Sequence, residues 1–124
     1  MTGREWKAPP SCVVLESPYG ALTQEGIDLN MEYARRCLKD SLDRGEAPFA
    51  SHLLYTQVLD DDVPGEREAG IDGQLAWIDL AQRIVVYVDL GISPGMRKAI
   101  DYASELRHQY RIEYRSLDGK AIQP

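Results

Sequence analysis

Residues 83–89 (RIVVYVD) restrict the fold more than any other segment. Apolar residues follow one another there without the polar alternation of a half-exposed strand, and β-branched residues dominate. Such a run reads as a strand covered on both faces, as a central strand of a parallel sheet is. Residues 11–16 (SCVVLE) form a second, shorter run of the same kind. Parallel neighbours need long crossover connections, usually helical, so the chain between these runs must supply them.

It does so in the right order. Ile27, Met31, Ala34, Leu38 and Leu42 recur at helical spacing over residues 26–44, and Gly45 stands at the C-cap. Residues 46–50 (EAPFA) read as a short strand closed by Ser51 and His52, and residues 53–59 have helical character. The acidic run 60–64 (DDDVP) reads as a solvated loop. A second helix is expected over 64–82, with Ile71, Leu75, Ile78 and Ala81 inward, although Gly70 and Gly73 weaken its first half. Ser93 as N-cap and Pro94 at the first helical position open a third helix over 94–109. Its inward side carries Met96, Ala99, Ile100, Ala103 and Leu106. Residues 111–115 (RIEYR) close the pattern as an outer strand. The alternation of strand and helix predicts one α/β domain over residues 11–117, a parallel sheet with helices on both faces in three layers. Residues 1–10, with Pro9 and Pro10, form an N-terminal arm, and residues 118–124 a polar C-terminal tail.

Composition narrows the partners. Fourteen Lys and Arg against twenty Asp and Glu give a net charge of −6. A duplex or an anionic membrane surface repels that charge, so no nucleic acid polymer and no membrane are expected as partners. A pocket for one phosphate remains compatible with it. No apolar stretch approaches the roughly 20 residues of a membrane span, and residues 1–10 lack the apolar core of a signal peptide. Cys12 and Cys37 are too few for a disulfide framework and lack metal-ligand spacing. The expectation is a cytoplasmic protein with reduced cysteines, without a metal or other cofactor.

In folds of this class ligands bind beyond the carboxyl ends of the strands. Three segments fall there: 17–20 (SPYG), Ser51 with His52, and 89–96 (DLGISPGM). Gly91 and Gly95 let the backbone approach a ligand, and the unpaired N–H groups at the helix start suit an anion, with Ser93 adding a hydroxyl. The same residues equally describe an ordinary capped helix. Tyr19 can stack on a base or donate its hydroxyl. His52 can hydrogen-bond a ligand; His108, near a helix end, reads as a surface residue. Asp89 ends the central strand and is placed to bind a base or sugar, or to act as an acid or base. No P-loop, GxGxxG, CxxC or Ser/His/Asp arrangement is evident.

These segments in this order resemble the nucleoside 2-deoxyribosyltransferase-like superfamily, and within it a branch common in bacteria and phages. The resemblance covers residues 13–117. It rests on Glu16-Ser17-Pro18-Tyr19-Gly20, on residues 45–53 (GEAPFASHL), on residues 85–96 running from the strand into Asp89-Leu90-Gly91-Ile92-Ser93-Pro94-Gly95-Met96, and on residues 99–103 (AIDYA). It implies a flavodoxin-like sheet of four to five strands, homo-oligomerisation, and a nucleoside or nucleotide as small-molecule partner. It implies chemistry on N-glycosidic bonds, of the deoxyribosyltransferase or nucleotide N-glycosidase type. Asp89 then corresponds to the family aspartate that acts on the base, Tyr19 to the aromatic that shapes the pocket, and Ser93 with Gly95 to the 5′-phosphate loop. Trp6 and Trp77 are candidate interface aromatics; beside Ile78, Trp77 reads equally as a core residue.

One departure bears on catalysis. The family's nucleophilic glutamate aligns with Ala99 or Arg97, and neither can serve. Asp101 is rotated by roughly 200° from Ala99 on a helix. A carboxylate that activates water must then come from elsewhere, with Asp89, Glu16 and Asp79 as candidates. The alternative is a catalytically degenerate protein that senses or sequesters a nucleotide or an ADP-ribose-type ligand.

Overall fold

A computed structural model describes residues 8–105 and 111–118. The expectations for residues 1–7 with Trp6, for Leu106 and His108, and for 119–124 lie outside the described residues. Four strands, β1 (Ser11–Glu16), β2 (Glu46–Phe49), β3 (Arg83–Tyr87) and β4 (Ile112–Arg115), form one sheet in the order β2-β1-β3-β4. Every pairing is parallel, with Val13 opposite both Pro48 and Arg83, and Val86 opposite Tyr114. The chain between them forms α1 (Gln24–Asp43), a short α2 (Ser51–Leu54) running into a 3-10 turn (Tyr55–Gln57), α3 (Pro64–Leu80) and α4 (Pro94–Glu105). This is the flavodoxin-like, three-layer arrangement, with four strands.

The two inner strands show why the sheet must be covered twice. Side chains alternate across a strand. Val13, Leu15, Val85 and Tyr87 pack with Tyr33 and Cys37 of α1 on one face. Val14, Ile84 and Val86 pack with Ile78 of α3 and with Met96, Ala99, Ile100 and Ala103 of α4 on the other. Burying one such aliphatic side chain contributes about 1.5–3 kcal/mol. Pro48, which has no N–H to donate, is tolerated because β2 is an edge strand. Among the described residues no helix is long and apolar enough to cross a membrane.

Several boundaries and one helix face differ from the expectation. α1 begins two residues earlier, because the Thr23 hydroxyl caps it by accepting from Gly26 N at 3.0 Å. The buried face of α1 carries Tyr33, Ala34, Cys37 and Ser41, whereas Leu42 is 57% exposed. The helix is rolled so that Tyr33 and Ser41 reach polar partners on the sheet side, Asp89 and Glu46. Gly45 ends the turn after α1 with φ of 86°, as its position suggested. β3 stops at Tyr87, so Asp89 belongs to the turn that Gly91 closes with its N–H on Val88 O at 2.9 Å. Ser51 and His52 do not end β2; they open α2, with Ala50 as its N-cap. Both cysteines are free, Cys37 buried and Cys12 exposed.

Candidate functional site

Glu16, the last residue of β1, ends a strand with neighbours on both sides. The order reverses direction here, since β2 lies on one side of β1 and β3 on the other. That is where open α/β sheets form their crevice. A cavity of about 320 Å³ occupies this position. It is lined by Glu16, Ser17, Tyr19 and Gly20 after β1, by Ser51, His52, Tyr55 and Thr56 around α2, by Arg67, Ile71 and Gln74 of α3, and by Ser93, Pro94, Gly95 and Met96 at the start of α4. Small-molecule sites typically hold roughly 300–1,000 Å³.

Glu16 is only 2% exposed. Burial disfavours its charged form and pushes its carboxyl up from 4.5 to about 8, with a hydrogen bond from Gln74 pulling the other way. The Gln74 side-chain amide donates to Glu16 Oε2. At neutral pH this group is therefore a carboxylic acid, able to donate a proton into the cavity.

Beside it, Ser17 Oγ and His52 Nε2 share a hydrogen bond of 2.6 Å. Burial pushes the His52 imidazole down to about 4, so the ring is neutral at pH 7. The Thr56 hydroxyl donates to His52 O at 2.8 Å and braces α2 below the ring. A neutral imidazole with so low a pKa is a weak base, and with Ser17 it sets a fixed polar pair on the cavity wall. No sequence spacing announces this pair, which is 35 residues apart.

The aromatic walls are held by close backbone approach. Asn30 of α1 donates to Tyr19 O at 2.9 Å and to Gly20 O at 3.3 Å, which pins the turn after β1. Tyr55 lies against α3 at Gly73, where an added Cβ would come within 2.9 Å of the Tyr55 ring. The Tyr55 ring also meets Phe49 edge-on at 5.9 Å, and its hydroxyl accepts from Trp77 Nε1 at 3.0 Å. Gly73, one of the two glycines that weaken α3 in sequence terms, is thus what lets this aromatic cluster close. Trp77, 44% exposed, stacks on Phe49 at 4.8 Å rather than entering the core.

At the α4 end, Ser93 caps the helix: its Oγ accepts from Met96 N at 3.2 Å and its carbonyl from Arg97 N at 2.9 Å. The Ser93 oxygen thus caps the helix from the cavity lining, while Gly95 leaves that side of the cavity open. Met96 lies on the lining but turns into the core, 1% exposed.

Other expected residues lie elsewhere. Pro18 is buried behind the turn and Gly91 lies in the β3–α4 turn, neither on the cavity wall. Asp89 does not line the cavity either. Its Oδ2 accepts from the Tyr33 hydroxyl at 2.5 Å, its Oδ1 from the Ser116 hydroxyl at 2.6 Å, and both oxygens from Leu117 N at 3.1 Å. Burial works to raise its pKa, but the bonds from Ser116, Tyr33 and Leu117 outweigh that and hold it below the usual range. Asp89 ties the β3 and β4 ends to α1. Asp79 accepts from the Tyr102 hydroxyl at 3.0 Å and joins α3 to α4. Of the three candidate carboxylates, only Glu16 faces the cavity. Ala99, one of the two positions to which the resemblance assigns a nucleophile, is buried in the α3–α4 core at 1% exposure, and Arg97, the other, is exposed and off the cavity wall.

Residues 11–114 match the family model described as a domain of unknown function, DUF7768. No curated protein and no solved structure matches the chain.

Proposed function

We propose that this chain, which belongs to the DUF7768 family, binds a nucleoside or nucleotide at the end of β1 and acts on its N-glycosidic bond, with Glu16 as general acid. One observation carries the reading: a carboxyl group kept protonated by burial faces a cavity of suitable size at the crevice of the sheet. A nucleobase leaves poorly as an anion, and protonating a ring nitrogen as the bond breaks removes that charge. In hydrolysis the Glu16 proton passes to a ring nitrogen, and the electron pair of the C–N bond leaves with the base. Water adds its oxygen to the anomeric carbon, and the proton it gives up restores the carboxyl. A second base in place of water gives transfer. Tyr19 and Tyr55 supply rings against the base or sugar. The open α4 start at Gly95, with Arg67, supplies groups for a 5′-phosphate.

The resemblance noted above supports the same reading, with Glu16 taking the acid role that the alignment assigns to Asp89. A binding-only protein is the second reading, favoured by Ala99 and Arg97, the two positions to which the resemblance assigns a nucleophilic glutamate and neither of them a carboxylate. Self-association belongs to the proposal as well: Trp77 and Leu80 of α3 are 44% and 75% exposed. Sedimentation of wild type and Leu80→Lys tests that part.

Incubation with a panel of nucleotides and deoxynucleosides, followed by chromatography for free base, tests the function. The enzyme reading expects base release from at least one member, reduced about 10²–10⁴-fold in Glu16→Gln with binding retained. Tight binding without any base release supports the sequestering protein instead. Neither binding nor release removes both readings.

A further inference from the structure

We infer that Glu16 and Gln74 together select bases in which a free ring nitrogen stands beside an exocyclic amino group, over bases with an oxo group there. The inference rests on the proposed function and names the substrate class of that same cavity.

Glu16 and Gln74 both line the cavity, on β1 and α3. A carboxylic acid has one carbonyl oxygen and one hydroxyl. The oxygen that accepts the Gln74 N–H, Oε2, is the carbonyl one, so the proton resides on Oε1. The Gln74 amide N–H thus favours the carbonyl form at Oε2, and exchanging the donor and the acceptor of the acid requires that amide to turn its own oxygen toward Glu16. The carbonyl oxygen keeps a second lone pair.

The acid step needs the O–H aimed at a ring nitrogen that carries no proton. The carbonyl oxygen then meets whatever the base places next to that nitrogen. In adenine and cytosine this is an amino group, which donates. In hypoxanthine it is an oxo group at the N7 edge, and in uracil the ring nitrogen itself carries hydrogen. Either case sets like groups against each other in a buried site, which costs far more than a missing contact on an exposed one. Gln74 is on this account a positioning residue. It touches Glu16, and through it orients the proton that both reads the base and later transfers to it.

Calorimetric binding of matched pairs tests this: adenosine against inosine 5′-monophosphate, and cytidine against uridine 5′-monophosphate. At slightly acidic pH the amino member of each pair is expected to bind about tenfold or more tightly. Above a pH of about 8, where Glu16 loses its proton, the ring nitrogen loses its donor and the amino member of each pair binds more weakly. Glu16→Gln keeps both the preference and the affinity at the two pH values, because its amide N–H₂ replaces the hydroxyl. Gln74→Leu, which frees the proton to occupy either oxygen, narrows the preference at slightly acidic pH. Equal affinity within each pair overturns the inference, as does a wild-type affinity for the amino members that ignores pH, or a preference that survives unchanged in Gln74→Leu. Binding of all four without discrimination overturns this inference alone. Binding of none overturns the proposed function with it.

Discussion

The side-chain amide of Gln74, in the middle of α3, donates to the carboxyl of Glu16 at the end of β1, 58 residues away. It is the polar partner of a carboxyl group that burial has cut off from water. The bond does not restore the charge. It selects the oxygen that carries the proton and fixes the group against the cavity wall.

A pH profile of stability follows from this site. Glu16 ionises near 4.5 when exposed and at about 8 in the fold. Between those values the fold holds a proton that the unfolded chain has released, so stability falls as pH rises, by about 1.4 kcal/mol per unit. His52 acts in the opposite sense, from 6.5 when exposed to about 4 in the fold. Its contribution is full above 6.5 and is lost as pH falls toward 4. The two slopes offset between 4.5 and 6.5, and a net decline runs from 6.5 to about 8. Urea denaturation at stepped pH should show that decline in wild type and not in Glu16→Gln. A level wild-type curve across it contradicts the neutral Glu16.

Asp89→Ala should act on stability. It removes the acceptor of the part-buried Tyr33 hydroxyl and of the Leu117 N–H and leaves the Ser116 hydroxyl with Asp118 alone, at a cost of about 1–3 kcal/mol. Because the fold holds the Asp89 carboxyl below its usual 3.8, its contribution is present above that pH and disappears in acid. The midpoint of thermal unfolding at neutral pH should drop, while the folded fraction retains nucleotide binding. Loss of binding without loss of stability contradicts the placement of Asp89 outside the cavity.

How much of this was legible in the sequence depends on the distance between partners. The unbroken run 83–87 forced a doubly covered parallel strand, and the helical spacing of residues 94–103 put Met96, Ala99 and Ile100 on the buried side, as observed. Local hydrophobic pattern reports such faces directly. On α1 it found Ala34 and Leu38 but misplaced Leu42 and missed Tyr33 and Ser41, whose burial is chosen by hydrogen bonds to groups outside the helix. Position at a strand end drew attention to Asp89, yet the strand stops two residues earlier and the carboxylate turns to α1. Glu16 was visible as one of three carboxylates, and Tyr19, Gly20, His52, Ser93, Gly95 and Met96 do meet at the cavity. Gln74 carries no sequence signal, because a lone glutamine on a helix has no pattern until the fold brings Glu16 to it.

The buried ion pair under α1 offers a separate test. Arg115 forks onto Glu46 with bonds of 2.7 and 2.5 Å, and Ser41 donates to the same carboxylate at 2.8 Å. The Arg115 and Glu46 side chains are 4% and 8% exposed. Arg115→Met leaves the largely buried Glu46 with Arg83, at 3.5 Å, as its remaining charged partner, and should cost up to about 3–5 kcal/mol. The double variant Arg115→Met/Glu46→Leu should recover most of that loss in denaturant unfolding. Additive losses in the double variant contradict the coupling.

Gly73→Ala probes the aromatic wall. The new methyl would meet the Tyr55 ring at 2.9 Å. Overpacking costs about 1–3 kcal/mol, against a gain of about 1 kcal/mol in helix propensity. A displaced Tyr55 also gives up its bond to Trp77. The expected result is a changed Trp77 emission and weaker nucleotide binding. Unchanged emission with raised stability contradicts the close contact.

The pH dependence of base release under single-turnover conditions tests the central claim most directly. With Glu16 as general acid, the rate holds steady through neutral pH and falls above a pH of about 8, and Glu16→Gln lowers it about 10²–10⁴-fold. A rate that passes through that pH without falling, or a Glu16→Gln protein that releases base at the wild-type rate, contradicts the account.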